Sequence, residues 1–275
     1  MHYKIFENKI EIYDKTDFNA QHIMECGQIF TYDKTEEGYL IYSKDKKAEL
    51  FETENGYVIQ TKDAYYFEEF FDLKTDYSNI KKDILTQNPG LKQILEYGYG
   101  IRILKQDVLE VVIGFIISAN NNISRIKTSM KYIRQNLGEN MGDYFAFPTL
   151  EKLSQVDAEF FTKAGVGYRA SQIVKAIKQL QETDFELLKT LQTQPLRQEL
   201  LKINGIGGKV ADCVLLFGFY KQDVFPVDTW IEKIYHDLFE NGQTNREFMR
   251  NHLVSHFKNL SGYIQQYLFY FKRSS

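Results

Sequence analysis

Leu201–Phe219 reads LKINGIGGKVADCVLLFGF, with Gly205, Gly207 and Gly208 falling within four residues between two helical segments. Glycine admits the positive φ that a tight helix–hairpin–helix needs, and it lets a backbone come close to another chain. Free amide groups at the start of the second helix then form an anion site. A DNA phosphate suits that site, and such a contact carries no sequence information. An ordinary αα-turn would show the same glycines, so the neighbouring residues must decide. Lys209 lies in the first turn of the second helix, where the dipole opposes a cation and favours the neutral amine. A neutral amine is a nucleophile suited to Schiff-base chemistry; a solvated lysine would only bind phosphate. Cys213, four residues on, shares that helix face. It is either core or one wall of the pocket that the lysine faces.

Downstream stands Phe225-Pro226-Val227-Asp228-Thr229-Trp230. Pro226 stiffens the loop, and Asp228 lies where a helix begins. Its carboxylate is an N-cap worth about 1 kcal/mol. It can equally face Lys209, to stabilise a developing sugar cation or shuttle protons. Both roles are compatible, because a cap fixes the carboxylate.

Working outward, the pattern is helical from about residue 91. DVLEVVIGFIISA, Asp107–Ala119, is apolar nearly all round and predicts a central buried helix capped by Asp107 and stopped by Asn120-Asn121-Asn122. Further helices are expected near 123–137, 149–155, 157–164, 168–182, 184–191, 195–202, 208–219, 228–240, 244–259 and 262–272. The first hundred residues instead show short β-branched and aromatic runs broken at Lys44–Lys47 and at Asn55-Gly56. The second break signals a hairpin between AELFET and YVIQT. A helix is expected near 81–87, ended by Asn88-Pro89-Gly90. The fold class is therefore α+β: an N-terminal antiparallel sheet domain, 1–95, and a multi-helix domain with the helix–hairpin–helix, 96–275.

Composition narrows the function. The 275 residues are 43% hydrophobic and 26% charged, as in a globular protein. The uncharged stretch Val111–Ser124 has 14 residues, too few to span a bilayer. No CxxC pair exists; Cys26 and Cys213 stand far apart, so a four-thiolate zinc or iron–sulphur site is excluded. Two free thiols and no secretion signal predict a reducing cytoplasm. Net charge is −3, but residues 1–99 carry 12 Lys+Arg against 19 Asp+Glu, and residues 100–275 carry 22 against 18. The asymmetry suggests two segments with different work; the excess of +4 over 176 residues is modest, and a binding face need only be locally basic.

These motifs resemble the helix–hairpin–helix–Gly/Pro–Asp DNA glycosylases, most closely 8-oxoguanine DNA glycosylase. The resemblance rests on Gly205-Ile206-Gly207-Gly208-Lys209-Val210-Ala211-Asp212-Cys213 and Phe225-Pro226-Val227-Asp228. It also rests on Ser118-Ala119-Asn120-Asn121-Asn122-Ile123-Ser124-Arg125-Ile126, on Gly165-Val166-Gly167-Tyr168-Arg169-Ala170, and on Cys26-Gly27-Gln28-Ile29-Phe30. They run in family order across nearly the whole chain. The resemblance implies base-excision repair of 8-oxoguanine paired with cytosine in double-stranded DNA. Lys209 would attack the sugar C1′ and form a Schiff base, and β-elimination would nick the strand. Asp228 would stabilise charge at the sugar.

The Gly27 carbonyl would accept from N7–H of the lesion, which guanine lacks. Gln265 would read the Watson–Crick edge, Phe269 and Cys213 would cover the two faces, and Pro226 would border the pocket. Flipping is required because the duplex hides the glycosidic carbon. Asn120 would fill the gap, Tyr168 would wedge beside it, and Arg125 and Arg169 would bond the orphaned cytosine. Gly205 and Gly207 would bring the hairpin to the backbone. Without the resemblance, Gly27 reads as a strand bulge, Phe269 as core, the asparagines as a helix stop and the arginines as a solvated face.

The resemblance also implies a monomer with no metal cofactor and no iron–sulphur cluster, and it makes room for a monovalent cation on hairpin carbonyls near Ile203 to Ile206. Two positions depart from the family pattern: Asn204, where proline is common, and Trp230, where many relatives have histidine. The alternatives are a non-catalytic DNA-binding module on the same hairpin and a glycosylase for another damaged base. Lys209 together with Asp228 favours catalysis, because a pure binder needs neither.

Overall fold

The computed structural model describes residues 1–239 and 242–274. Its strands are β1 (Tyr3–Phe6), β2 (Lys9–Ile12), β3 (Tyr32–Lys34), β4 (Gly38–Ser43), β5 (Lys46–Thr53) and β6 (Gly56–Gln60). They form a single antiparallel sheet in the order β1-β2-β6-β5-β4-β3. Alternation sets its inner face: Ile10, Ile12, Ile41, Ala48, Leu50 and Ile59 are fully or almost fully buried. The β5–β6 hairpin was expected to turn at Asn55-Gly56. Thr53 pairs instead with Gly56, so the turn is Glu54-Asn55 and Gly56 opens β6. A methyl there would stand 1.8 Å from the Ile12 carbonyl oxygen of β2, so the glycine answers a close strand approach.

The helices are α1 (Ala20–Glu25), α2 (Ala64–Phe70), α3 (Tyr77–Gln87), α4 (Lys92–Tyr97), α5 (Val108–Ser118), α6 (Ile123–Leu137), α7 (Leu150–Ser154) and α8 (Ala158–Lys163). The chain continues through α9 (Ala170–Gln181), α10 (Phe185–Thr190), α11 (Thr193–Leu201), α12 (Gly208–Phe217), α13 (Thr229–Phe239), α14 (Arg246–Phe257) and α15 (Ser261–Ser274). The expected segment 228–240 ends on a residue outside the described ones. Helices α1 and α2 were not foreseen, and α3 begins four residues before the expected start. Helix α1 has six residues, too few to show a period, while α2 carries Phe67, Phe70 and Phe71 at i, i+3 and i+4 within a stretch of strand-like runs. What holds α2 is the sheet, against which Phe67, Phe70 and Phe71 are buried.

Two cores result. The first joins the sheet's inner face to α1 and α2. The second surrounds α5, whose residues 110–117 are all buried; Asp107 caps it by accepting from the Leu109 and Glu110 amides at 3.0 and 3.2 Å. Helix α12 packs directly on α5, with the Phe115 and Phe217 rings stacked at 5.4 Å. That contact brings the hairpin to the end of α5. Arg102 ties the two cores together. Its buried guanidinium donates to the carbonyls of Asp17, Phe71 and Thr75 at 3.0–3.1 Å and to that of Asp72, and lies 4.1 Å over the Tyr77 ring. Four carbonyl acceptors satisfy a charge that burial alone would penalise heavily.

Candidate active site

Gly205 has φ +81°, the left-handed conformation the hairpin requires, and a side chain there would crowd Ile116 at 3.2 Å. Gly207 is the N-cap of α12 and supplies no side-chain oxygen. The first-turn amides of α12 are thus left for an external acceptor. A methyl at Gly207 would meet nothing within 4 Å, so another backbone has room to approach.

Lys209 follows at once. Its amine donates to Ser118 Oγ at 3.3 Å and lies 4.9 Å from the Phe115 ring centroid. The end of α5 therefore fixes where the amine points. Asp228 Oδ1 accepts from the amides of Trp230 at 2.9 Å and Ile231 at 3.0 Å. It caps α13, as the sequence suggested, and that cap holds it at the cleft.

Gly27 is neither a bulge nor a strand bend. It follows the Cys26 cap of α1 with φ +84°, a left-handed helix end that only glycine enters readily. Its neighbours lock it on both sides. Gln266 of α15 donates to the Cys26 carbonyl at 2.7 Å. Gln28 donates to the Ile23 and Arg102 carbonyls and accepts from the Leu104 amide at 2.9 Å.

These residues converge. A cleft of about 830 Å³ is lined by Gly27, Asn120, Gly205, Gly207, Lys209, Asp228 and Phe269, with Phe30, Phe115, Ser118, Trp230 and Arg273 among its other wall residues. Gly27 and Phe269 face each other closely: a methyl on Gly27 would stand 2.9 Å from Phe269 Cε1. Cys213, Pro226 and Gln265 are buried and do not line the cleft. Burial pushes the Cys213 thiol up to about 12, with the Lys209 amine beside it pulling the other way. Gln265 Oε1, buried on α15, finds no hydrogen-bond partner.

Asn120 holds φ +49° at the end of α5 and reaches the hydroxyl of Tyr168. Tyr168 is 70% exposed and stacks on Arg169, whose Nη2 donates to the Tyr168 oxygen at 2.6 Å. That guanidinium is the first cause of the lowered Tyr168 hydroxyl, followed by Asn120. Arg125 stands exposed in the first turn of α6, which Asn122 caps at 2.9 Å. Segments 118–126 and 165–170 thus meet at Asn120 and Tyr168.

Two family models cover this architecture: the N-terminal domain of 8-oxoguanine DNA glycosylase matches residues 10–112, and the HhH-GPD superfamily base excision DNA repair protein matches residues 113–258. The chain belongs to the 8-oxoguanine DNA glycosylase family. N-glycosylase/DNA lyase OGG1 of Arabidopsis thaliana is 33% identical over 177 residues, covering 60% of this chain and 48% of that protein. The chain thus matches about half the length of the plant relative. A probable N-glycosylase/DNA lyase of Methanothermobacter thermautotrophicus is 31% identical over 233 residues, 76% of this chain and 74% of that one. Among solved structures, the 8-oxoguanine glycosylase/lyase of Clostridium acetobutylicum, in complex with double-stranded DNA containing cytosine opposite 8-oxoguanine, is 34% identical. It superposes with a TM-score of 0.92 over 100% of this chain and 98% of that one.

Sequence reading missed part of this family member's cleft wall. Asp212, three residues after Lys209, is buried between Arg197 Nε at 2.9 Å and Arg250 Nε at 3.3 Å. Arg197 turns its fork to Glu247 at 2.8 and 2.9 Å, so two carboxylates and two arginines form a ladder behind the hairpin. The single charge of Asp212 within the apolar run from Val210 to Phe217 was the available signal. Arg273, near the end of α15, also lines this cleft. It donates to the Glu25 carbonyl and lies 5.6 Å from the Phe269 ring. Among the described residues no group of three or more His, Cys, Asp or Glu is placed to hold a metal ion. No described helix is long and apolar enough to cross a membrane.

Proposed function

We propose that the protein is a bifunctional DNA glycosylase and abasic-site lyase that excises 8-oxoguanine opposite cytosine. The observation that carries the proposal is the single cleft shared by the Lys209 amine, the Asp228 carboxylate and the left-handed Gly27. Lys209 Nζ, oriented by Ser118, attacks C1′ of the flipped nucleotide; the N–C1′ bond forms as the C1′–N9 bond breaks, and the base leaves with a proton. Opening of the sugar ring gives the protonated Schiff base. Loss of a C2′ proton then expels the 3′ phosphate, which nicks the strand. Asp228, whose second oxygen is not used in capping α13, stabilises the cationic sugar.

Lesion choice follows from hydrogen bonding. The Gly27 carbonyl accepts from N7–H of 8-oxoguanine, whereas guanine presents a lone pair there and leaves a buried acceptor unpaired, at about 1–3 kcal/mol. The orphaned Gln265 Oε1 supports a role as reader of the Watson–Crick edge. Phe269 and Cys213 cover the two faces of the base, with Pro226 beside them, once Phe269 draws back from Gly27. Asn120, Tyr168, Arg125 and Arg169 hold the gap and the estranged cytosine. Gly205 and Gly207 bring the hairpin amides to a phosphate. A monovalent cation would be held by carbonyls between Ile203 and Ile206, where it would steady the hairpin against that phosphate; no step passes through it. The enzyme works as a monomer on double-stranded DNA, in the cytoplasm or, in a eukaryote, the nucleus.

The test is borohydride reduction of enzyme mixed with duplexes carrying 8-oxoguanine opposite each of the four bases. Wild type should give a covalent adduct, strongest opposite cytosine, and Lys209→Gln should give none. No adduct from wild type refutes the catalytic reading. Full trapping by Lys209→Gln refutes the assignment of the nucleophile.

A further inference from the structure

Next to the catalytic cleft, and sharing Phe30 and Ile123 with it, lies a second pocket of about 460 Å³ between β3 and α6. Its lining includes Tyr32 and Asp33 from the sheet and Lys127, Thr128, Lys131 and Arg134 from α6. Three cations against one carboxylate leave the pocket with a net charge of about +2.

The cations are not equivalent. Lys131 pairs with Asp33 at 3.0 Å. Arg134 lies 3.5 Å over the Tyr42 ring, donates to the Phe145 carbonyl at 3.3 Å and reaches Asp33 at 4.0 Å. Lys127 makes no ion pair among the described residues. Its amine is held 3.5 Å above the Tyr32 ring, half-buried. Burial holds it below the usual lysine range, with Asp33 pulling the other way. A half-buried ammonium aimed across a cavity without a carboxylate of its own is short of one anionic partner. Ser124, on the same wall, adds a hydroxyl, whereas that of Thr128 donates to the Ser124 carbonyl at 3.0 Å.

We propose that this pocket binds the phosphodiester backbone of the DNA duplex outside the base-flipping cleft, with Lys127 and Lys131 as its phosphate contacts. The proposal rests on the glycosylase reading, because a strand leaving the cleft past Asn122 and Ile123 runs onto it. The oxyanion takes the open side of the Lys127 ammonium, and Lys131 shares itself between Asp33 and the phosphate. The contact is blind to base sequence and to damage.

Salt dependence of duplex affinity is the test, measured by fluorescence anisotropy on matched damaged and undamaged duplexes. Each lost phosphate contact lowers the slope of log K against log salt by about 0.9, so Lys127→Gln should bind roughly eightfold more weakly near 0.1 M salt. Lys127→Gln with Lys131→Gln should lose about 1.8 in slope. Both duplexes should be affected equally, and single-turnover excision at saturating enzyme should stay at the wild-type rate. Lys127→Arg should keep the slope. Lys4→Gln, on β1 at the opposite edge of the sheet, should also keep it.

An unchanged slope in the double variant overturns the proposal. So does an unchanged slope accompanied by stabilisation with inorganic phosphate, which would assign the pocket to a free anion. A wild type that binds no DNA at all would instead overturn the glycosylase reading, so the two failures are distinct.

Discussion

Gly27→Ala separates lesion recognition from strand cleavage. At φ +84° an alanine costs about 1–2 kcal/mol in backbone strain. Its methyl would stand 2.9 Å from Phe269 Cε1 and 3.1 Å from Arg273 Nη1. Ordinary contact begins at 3.4 Å, so the ring must retreat by about half an ångström or more. Arg273 is anchored on the Glu25 carbonyl and yields less easily than the ring. The displaced Phe269 then crowds the space a purine needs, and misplacement approaching 1 Å costs up to about a hundredfold in rate. Excision of 8-oxoguanine should therefore fall by about 10²-fold in single-turnover assays. Cleavage of a preformed abasic site needs Lys209 but no base pocket, so it should stay near wild type. Strain should lower the melting temperature by about 2–6 °C. Excision by Gly27→Ala at the wild-type rate would refute the reasoning, as would equal loss of both activities in a folded variant.

Asp228→Asn keeps an oxygen for the Trp230 and Ile231 amides, so α13 should stay capped and melting should change little; excision should fall about 10²-fold because the charge at the sugar is lost. Glu110 is buried under the Lys44 amide and Thr31, and burial, with Asp107 adding to it, raises its carboxyl to about 8. Below its ordinary value of 4.5 the group is neutral in both folded and unfolded chains; above it the unfolded chain ionises first, so stability falls as pH rises towards 8. The loss is about 3 kcal/mol by pH 7, and Glu110→Gln should remove that pH dependence from urea titrations at pH 5 and 7. Arg197→Met leaves buried Asp212 with one partner and should cost about 3–5 kcal/mol in the same titrations. Arg246→Met, which breaks the exposed pair with Glu232, should cost under about 1 kcal/mol.

The helical half was legible because its signals are local. Asp107 caps the segment it precedes, the asparagines from Asn120 on end it, and Gly205 takes the positive φ its residue type admits. The motif order placed Lys209, Asp228, Gly27, Asn120 and Phe269 in one site, and the cleft contains all five. Helix α2 shows in the i, i+3, i+4 spacing of Phe67, Phe70 and Phe71 but lies inside a stretch dominated by strand patterns, whereas α1, at six residues, is too short to show a period. The Asn55-Gly56 signal named the right hairpin but not its turn, because the approach of β2 to Gly56 is a contact between distant segments.

The sequence by itself determined which reactive residue types the chain carries and at what spacing, because an amine, a carboxylate and a glycine hairpin are properties of residue type and order. Only the tertiary structure decided what surrounds them. Asp212 lies between two buried arginines, Cys213 and Gln265 are covered while Phe269 leans on Gly27, and Lys127 faces a second cavity without a carboxylate partner. Each of these joins residues far apart in the chain, and burial and distance, which set the strength of a charge or an unpaired donor, exist only after folding.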